Sequence, residues 1–403
     1  MNRRVAITGI GVICGIGKTL AEFRENLMAG RSGIRPITST DLKEIRFRNG
    51  AEVEGYDPLA YFDVRGADFL DRFAQFAVIA AQEAVAQSGI AWTSEIREST
   101  AIVTGCCVGG QSSEDAGFWD LYHLDRNRVH PLTIPRIMAN AGASHISMEF
   151  GITGPAYTVS TACSSSGHAL GQAFEMIRSG RAELALSGGS EAPFSYGILK
   201  AWEAMRVVSQ DTCRPFSKDR TGMVLGEGAA IMVLEPLDAA EARGAAVLGE
   251  ICGFGMSSDA SHITQPAADG AARAMRLALR DASLAPEQIG YVNAHGTGTL
   301  ANDVTETKAI RAVFGAHAEC LPVSSTKSVH GHALGAAGAL EAVAAVLALR
   351  DELLPPTANF RERDPECNLD LVTGTARPSR AGYALSNSFA FGGLNAVLAF
   401  RKP

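Results

Sequence analysis

Residues 158–180, TVSTACSSSGHALGQAFEMIRSG, read as a β-strand, a tight turn and a helix. A β-like run ends at Ser160 or Thr161, and apolar residues at helical spacing follow three serines. Gly180 is a suitable residue to end that helix. Cys163 therefore lies at a strand-to-helix turn, close to the N-terminus of the predicted helix.

Short β-rich runs alternate with helical stretches along the rest of the chain. The strand-like runs are 5–8, 101–104, 156–160, 184–187, 230–234, 291–293 and 323–325, and the helical stretches include 73–88, 169–178, 271–282 and 339–350. This alternation predicts an α/β protein with layered sheets. The best domain boundary lies near residues 240–252. Each half has a strand, a glycine-rich turn and a helix near a reactive residue, which is consistent with an internal duplication.

Composition excludes several classes of function. The chain has 403 residues, of which 46% are hydrophobic and 20% charged, so it can bury a large core. The formal net charge is −7 and no Lys/Arg-rich tract is present, which argues against nucleic acid as a partner. No apolar run approaches the length of a membrane span, and glycines interrupt the apolar N-terminal stretch as in a first buried strand. We expect a cytoplasmic protein whose eight cysteines are reduced.

Cys163 is the first candidate for chemistry. Free backbone N–H groups and the positive end of the helix dipole lower the pKa of a thiol at a helix N-terminus and favour the thiolate. The same N–H groups can stabilise an oxyanion. The alternative is a buried structural cysteine, which is the commoner role of this residue type. The small polar run at residues 164–166 leaves room for a substrate and favours the nucleophile.

His295 is the second candidate. It lies in YVNAHGTGTLANDVTETKA, residues 291–309, where a strand leads into a Gly/Thr loop and a helix carrying Glu306 follows. A histidine at a strand end, flanked by glycine, can reach a ligand. The alternative is a histidine that is hydrogen-bonded within a turn.

A third cluster follows another strand, in VSSTKSVHGHALGAAGALE at residues 323–341. It contains Lys327, His330 and His332. The two histidines are spaced like a metal-binding pair, but no Cys or carboxylate ligand lies at suitable spacing. We therefore expect no metal site.

Four motifs together resemble one family. TACSSSG, NAHGTGT, SSTKSVHGH and NSFAFGG stand in the order and spacing of the β-ketoacyl-[acyl carrier protein] synthase II family of the thiolase superfamily. The segment KAWEAMRVVSQDTCRPFSKDR is similar to the nodulation-type branch and to type II polyketide and polyene ketosynthases. The resemblance covers essentially the whole chain.

The resemblance implies an α/β thiolase-like fold. Two related halves, each a five-stranded sheet with helices, would be stacked in α-β-α-β-α layers. The N-terminal half, residues 1–250, would carry the nucleophilic cysteine. The C-terminal half, residues 251–403, would carry the two catalytic histidines and the lysine. Proteins of this family are dimers.

The resemblance also implies roles for individual residues. Cys163 matches the acyl-accepting nucleophile, and His295 and His332 match the histidines that handle the malonyl group. Lys327 matches the lysine that orders the site, and Glu306 matches its acidic partner.

Phe391 matches a gating phenylalanine whose backbone N–H shares an oxyanion hole with that of Cys163. Ala390, beside this gate, replaces a residue that is commonly glycine in relatives.

Further positions match substrate-binding residues. They are Thr297 and Thr299, Val108 and Thr133 at the far end of the acyl pocket, where position 133 would reach across from the partner chain, and Arg206 on the rim of the entrance. The residues at positions 108 and 133 are smaller here than in many relatives. This implies that the pocket accepts long or polyunsaturated acyl chains. The hydroxyl of Thr133 needs a partner, either a polar or conjugated substrate feature or a backbone carbonyl.

The basic cluster that docks the carrier protein in relatives is thin here. Arg65, Arg72 and Arg206 remain, with acidic Asp68 and Asp71 between the first two. Carrier binding is therefore expected to be weak or to use a partner subunit.

The implied reaction is a decarboxylative Claisen condensation. An acyl group held on Cys163 condenses with malonyl-acyl carrier protein and gives β-ketoacyl carrier protein and CO2. The reaction would need no metal and no cofactor. It would belong to fatty acid synthesis or to type II polyketide and polyene synthesis. The partners would be acyl carrier protein and a second subunit, in a homodimer or a heterodimer with a chain-length-factor-like chain. The alternatives are the catalytic subunit of such a heterodimer, a coenzyme A-dependent thiolase-like enzyme and, disfavoured by Cys163, a non-catalytic chain-length factor.

Overall fold

The computed structural model describes residues 3–403. In chain order the strands are β1 (Val5–Cys14), β2 (Arg35–Pro36), β3 (Asn49–Gly50), β4 (Thr100–Gly105), β5 (Ala156–Val159), β6 (Leu184–Glu191), β7 (Gly228–Pro236), β8 (Gly249–Ser258), β9 (Tyr291–Asn293), β10 (Pro322–Ser324), β11 (Leu353–Leu354), β12 (Asp370–Leu371), β13 (Arg377–Pro378), β14 (Tyr383–Ala390) and β15 (Leu394–Arg401). The predicted first buried strand is confirmed, since every residue of β1 is buried.

The helices complete the α/β architecture that the sequence predicted. In chain order they are α1 (Leu20–Met28), α2 (Val64–Phe69), α3 (Arg72–Ser88), α4 (Ser94–Ser99), α5 (Gln111–His123), α6 (Thr133–Ile137), α7 (Ala141–Phe150), α8 (Ser165–Arg178), α9 (Tyr196–Met205), α10 (Leu237–Ala242), α11 (Ala268–Asp281), α12 (Leu300–Phe314), α13 (Lys327–His330) and α14 (Ala337–Arg350). Short 3₁₀ turns lie at Pro58–Ala60, Pro286–Gln288, Gly315–Glu319, Leu334–Ala336 and Pro365–Cys367. Within residues 3–403, no helix is long and apolar enough to cross a membrane.

The two halves share one strand topology. The N-terminal half has the order β5-β4-β6-β7-β1, and the C-terminal half has the order β10-β9-β14-β15-β8, with β12 added at its edge. In both halves the first three of these strands are parallel and the last two pairings are antiparallel. The identical order and directions confirm two related halves.

A short ladder joins the two sheets into one continuous set of hydrogen bonds. Val5, Ala6 and Ile7 of β1 pair with residues of β8. Each of these strands would otherwise be an open edge of its own half, with unpaired backbone groups. Pairing the two edges with each other satisfies those groups.

Helices form three layers around the two sheets. α8 and α14 contact each other and strands of both halves, so they form the central layer. α3 and α7 cover the outer face of the N-terminal sheet, and α11 covers that of the C-terminal sheet with α12 packed on it. All thirteen residues from Ala337 to Leu349 of α14 are buried, as expected for a helix enclosed on every side. This is the α-β-α-β-α arrangement that the resemblance implied.

The close approach of α3 to β1 requires glycine at position 11. A Cβ atom added there would lie 1.9 Å from the carbonyl oxygen of Ala80. That oxygen belongs to the backbone of α3, so the helix as a whole would have to move away from the sheet.

We predict that Gly11→Ala destabilises the protein by about 3 kcal/mol, the upper part of the usual range for overpacking a core. The measurement is the midpoint of thermal unfolding. Gly382→Ala is the matched control, because a Cβ at that exposed glycine has no neighbour within 4 Å. Equal midpoints for the two variants would contradict the packing argument.

Candidate active site

One cavity brings together residues from both halves of the chain. It has a volume of about 320 Å³, and its wall includes Cys163, His295, His332, Thr297 and Thr299. The strands β9 and β10 are parallel neighbours, so the segments after their carboxyl ends meet at one edge of the sheet. These two segments carry the two histidines. The predicted reactive residues are therefore neighbours in space, although up to 169 positions separate them in sequence.

The turn that carries Cys163 is held tightly from both sides. Ala162, just before it, has a left-handed backbone with φ +50°. The backbone N–H of Thr161 donates to Ser165 Oγ at 2.9 Å, and Ser164 Oγ donates to the Thr161 carbonyl at 2.8 Å. An L-residue in this conformation is strained, so these bonds are needed to keep the turn in place. They fix Cys163 two residues before the first helical residue of α8.

The Cys163 thiol is more basic than the sequence suggested. Burial raises its pKa to about 11, while the positive charge of Lys327 acts in the opposite direction and Glu191 adds to the rise. The side chain is only 7% exposed, so the thiolate would lose most of its hydration. The expectation that the helix N-terminus lowers this pKa is wrong, because desolvation outweighs the helix dipole.

The two histidines face each other on the cavity wall. Their ring centroids are 5.5 Å apart and the planes are nearly perpendicular, at 85°. Burial, followed by the positive charge of Lys327, lowers both histidine pKa values well below the ordinary value. Both imidazoles are therefore neutral at pH 7, and each keeps one N–H donor.

Lys327 determines which nitrogen of His295 carries the proton. Its ammonium nitrogen Nζ lies 3.2 Å from His295 Nδ1 and donates to the His295 carbonyl at 2.6 Å. An ammonium group can only donate, so Nδ1 accepts and the proton of the neutral ring lies on Nε2. The position of the proton on His332 is not fixed in this way, because its buried Nδ1 has no hydrogen-bond partner among residues 3–403.

The acidic partner of Lys327 is Glu341 of α14. The two side chains form a fully buried ion pair. Burial raises the pKa of Glu341 to about 7, and the neighbouring ammonium group opposes that rise. Sequence reasoning missed this residue. The available signal was a single charged residue within the apolar run of residues 337–349.

The prediction that Glu306 pairs with Lys327 is wrong. Glu306, on α12, instead accepts the backbone N–H groups of His295 at 2.8 Å and Gly296 at 2.7 Å. Its carboxylate also accepts from Asn387 Nδ2 at 3.1 Å. Glu306 therefore holds the loop that carries His295, and the lysine is paired elsewhere.

His330 is a structural residue of the turn before His332. It is fully buried, with Nε2 3.0 Å from Thr326 Oγ1 and Nδ1 2.9 Å from the Gly331 carbonyl. Burial lowers its pKa to about 3. Nowhere between residues 3 and 403 do three or more His, Cys, Asp or Glu side chains form a group that could hold a metal ion.

Phe391 lies on the cavity wall, in the turn between β14 and β15. Its ring stacks on that of Trp202, with centroids 6.1 Å apart and an angle of 26° between planes. Trp202, from α9, lines the same cavity and was not singled out from the sequence. The turn is held on its other side by two backbone bonds, Asp259 N–H to Gly393 and Gly392 N–H to Ile263.

The remaining predicted binding residues divide into two groups. Thr297 and Thr299 line the cavity, with hydroxyl oxygens 2.9 Å apart, and exposed Arg206 lies at its entrance. Val108 and Thr133 do not line this cavity. The Thr133 hydroxyl donates to the carbonyl of His130 at 2.7 Å. Its partner is therefore a backbone carbonyl, and Thr133 gives no reason to expect a polar or conjugated feature in the substrate.

Arg72 is not available to dock a carrier protein. Its guanidinium group forms an ion pair with buried Glu227 and lies 4.8 Å from the ring centroid of Tyr56. Arg65 and Arg206 are exposed. The basic cluster on this face is therefore thinner than the sequence indicated.

The chain is similar to known proteins along its whole length. Residues 2–240 match the family model described as "Beta-ketoacyl synthase, N-terminal domain", and residues 248–361 match "Beta-ketoacyl synthase, C-terminal domain". "Nodulation protein E" of a Rhizobium species is 45% identical over 402 residues, which cover 100% of both chains. "3-oxoacyl-[acyl-carrier-protein] synthase 2" of a Synechocystis species is 42% identical and covers 100% of this chain and 98% of its own.

A similar solved structure is "The ishigamide ketosynthase/chain length factor". It superposes with a TM-score of 0.95 at 38% sequence identity, and the match covers 100% of both chains.

We predict that alkylation of Cys163 by iodoacetamide accelerates about tenfold per pH unit between pH 6 and 9, because only the thiolate reacts and its pKa is raised. Peptide mass mapping separates this site from exposed Cys320. Lys327→Met should slow the reaction at each pH, since it removes a charge that lowers the thiol pKa. A rate plateau near pH 7 would contradict the raised pKa.

We predict that Glu341→Gln lowers stability by about 3–5 kcal/mol, because it leaves the Lys327 ammonium group buried without a counter-charge. The double variant Lys327→Met/Glu341→Leu removes both charges and should recover most of that loss. The check is a comparison of thermal unfolding midpoints for the single and double variants. A double variant that is less stable than Glu341→Gln would argue against the ion pair as the cause.

Proposed function

Because the chain belongs to the beta-ketoacyl synthase family, we propose that it is a β-ketoacyl-[acyl carrier protein] synthase, an acyltransferase that makes carbon–carbon bonds. The observation that carries the proposal is the meeting of one cysteine and two neutral histidines on the wall of one cavity. The substrates are thioesters of acyl carrier protein, as the name of the Synechocystis relative indicates for that protein.

The first half-reaction loads the enzyme. Cys163 Sγ attacks the carbonyl carbon of an acyl-carrier thioester, a new C–S bond forms and the old one breaks. The thiol proton leaves with the phosphopantetheine sulfur. A thiol with a pKa of about 11 is protonated at rest, so loading requires this proton to move as the bond forms. Backbone N–H groups of Cys163 and Phe391 are proposed to hold the oxyanion.

The second half-reaction generates the carbon nucleophile. Malonyl carrier protein loses CO2, and the electron pair of the broken C–C bond becomes an enolate. Neutral His295 and His332 are proposed to donate N–H bonds to the enolate oxygen. The imidazolium form of either ring is disfavoured, because burial and, after it, the charge of Lys327 lower both pKa values. Lys327 directs the His295 proton to Nε2, and Glu306 holds the loop.

Condensation completes the cycle. The enolate carbon attacks the acyl-cysteine carbonyl, the new C–C bond forms and the bond to Cys163 Sγ breaks. The Cys163 thiolate takes up a proton from solvent, because the original thiol proton left with the phosphopantetheine sulfur, and β-ketoacyl carrier protein leaves. We propose that residues 1–250 supply the nucleophile and residues 251–403 supply the two histidines and Lys327.

We further propose that the protein works as a dimer in the cytoplasm. A homodimer and a heterodimer with a chain-length-factor-like chain are both supported, the second by the similarity to the ishigamide ketosynthase/chain length factor. Arg206 is proposed to contact acidic carrier protein at the cavity entrance.

The test separates the two half-reactions by mass spectrometry. The intact wild-type protein should gain the mass of an acyl group from acyl carrier protein, and Cys163→Ala should gain none. His332→Ala should still be acylated, yet lose malonyl decarboxylation by at least about a hundredfold, the usual effect of removing one such donor.

Cys320→Ala is the control, because it removes an exposed cysteine outside the cavity and should retain both half-reactions. Acylation of Cys163→Ala on another cysteine would overturn the assigned nucleophile. Equal losses of acylation and decarboxylation in His332→Ala would overturn the division of roles.

A further inference from the structure

A buried carboxylate near Cys163 has no role in the mechanism above beyond its contribution to the raised pKa of that thiol. Glu191 is the last residue of β6 and has no exposed surface. It accepts the backbone N–H groups of Cys107 at 2.7 Å, Val108 at 3.2 Å and Gly335 at 2.9 Å. The thiol of Cys106 also donates to it at 3.4 Å. One side chain thus joins three separate segments of the chain.

Each of the three N–H groups points at an oxygen lone pair, so the acceptor must carry no proton at those three positions. An ionised carboxylate has about four acceptor positions and matches this set. Burial raises the pKa of Glu191 to about 7, and the three N–H bonds oppose that rise. Burying a carboxylate is costly unless hydrogen bonds compensate for it, and these four bonds supply that compensation.

Through its bond to Gly335, Glu191 holds the segment that carries His332. On the upstream side, the His332 backbone N–H donates to Val224 at 2.7 Å and its carbonyl accepts from Gly226 at 3.0 Å. On the downstream side, the bond from Gly335 to Glu191 lies three residues after the histidine. α14 follows at once and carries Glu341, the partner of Lys327.

The junction around Glu191 is packed backbone against backbone. A Cβ atom on Gly335 would lie 2.4 Å from the Cys107 nitrogen and 2.6 Å from Glu191 Oε2. A Cβ on Gly189 would lie 2.6 Å from the Gly105 carbonyl oxygen. With the backbones this close, we expect loss of the carboxylate bonds to shift the segments themselves.

We propose that Glu191 is a positioning residue for condensation: its carboxylate holds the His332 segment against the Cys106–Val108 segment, and so places the histidine relative to Cys163. This inference rests on the proposed function. Glu191 acts on the second half-reaction more than on the first, because Cys163 is held by its own turn through Thr161, Ser164 and Ser165.

The test is Glu191→Gln, which keeps the size of the side chain but turns one acceptor oxygen into a donor facing N–H groups. Malonyl decarboxylation by the variant should fall at least about tenfold, since small displacements of reacting groups have effects of this size or larger. Acyl transfer to Cys163 should not fall, because loss of the Glu191 charge removes one contribution to the raised pKa of the thiol, and the KM for malonyl carrier protein should change less than about threefold.

Glu83→Gln is the matched control. Glu83 also accepts two backbone N–H groups, from Val12 at 2.8 Å and Leu20 at 2.7 Å, but on α3 away from the cavity. It should alter neither half-reaction. Equal losses of both half-reactions in Glu191→Gln, or a selective loss in Glu83→Gln, would overturn the proposal.

A second variant covers the case in which Glu191→Gln does not fold. Cys106→Ala removes one donor to the carboxylate and should lower the ratio of decarboxylation to acyl transfer by about threefold, the effect of a modest hydrogen bond. An unchanged ratio overturns the proposal. Failure of the wild-type protein to become acylated would instead overturn the proposed function, and iodoacetamide labelling of Cys163 would show whether its turn is intact.

Discussion

The buried ion pair between Lys327 and Glu341 is the constraint around which the site is arranged. Neither side chain has any exposed surface, so each charge depends on the other for compensation. The ammonium group also donates to the carbonyl of His295 and lies next to its Nδ1. Burial and, after it, this positive charge keep His295 and His332 neutral, and the ammonium group also orients His295.

Burial shifts the pKa of Cys163 and the pKa values of the two histidines in opposite directions. It raises the pKa of the Cys163 thiol and lowers the pKa of His295 and His332, because in each case the charged form is disfavoured. All three groups are therefore neutral at rest. In the proposed reaction, charge develops only when substrate enters, and the proposed N–H donors are already in place to stabilise it. This is the condition under which hydrogen bonds to an oxyanion or enolate are most effective.

The fold supplies this environment by enclosing two helices between two sheets. α8 begins just after Cys163, and α14 carries Glu341 and follows the His332 segment, so both halves deliver reactive groups into the central layer. Glycines allow the backbones to approach closely, as at Gly335 and Gly189. Glu191 and Glu306 then satisfy the backbone N–H groups that such close packing leaves without partners.

The sequence by itself determined the α/β class, the strand-to-turn placement of Cys163 and His295, and the resemblance of the whole chain to the ketosynthase family. These follow from local patterns: alternating strands and helices, glycine turns and short motifs. It did not determine the partner of Lys327, because Glu306 and Glu341 are both acidic residues on helices after a reactive strand end. Glu341 is the partner because α14 packs between the two sheets and places that carboxylate against the lysine. The direction of the Cys163 pKa shift and the hydrogen-bond partner of Thr133 were likewise decided by tertiary structure. The physical reason is that desolvation and charge pairing depend on which distant segments enclose a group, whereas local spacing specifies only the element on which that group lies.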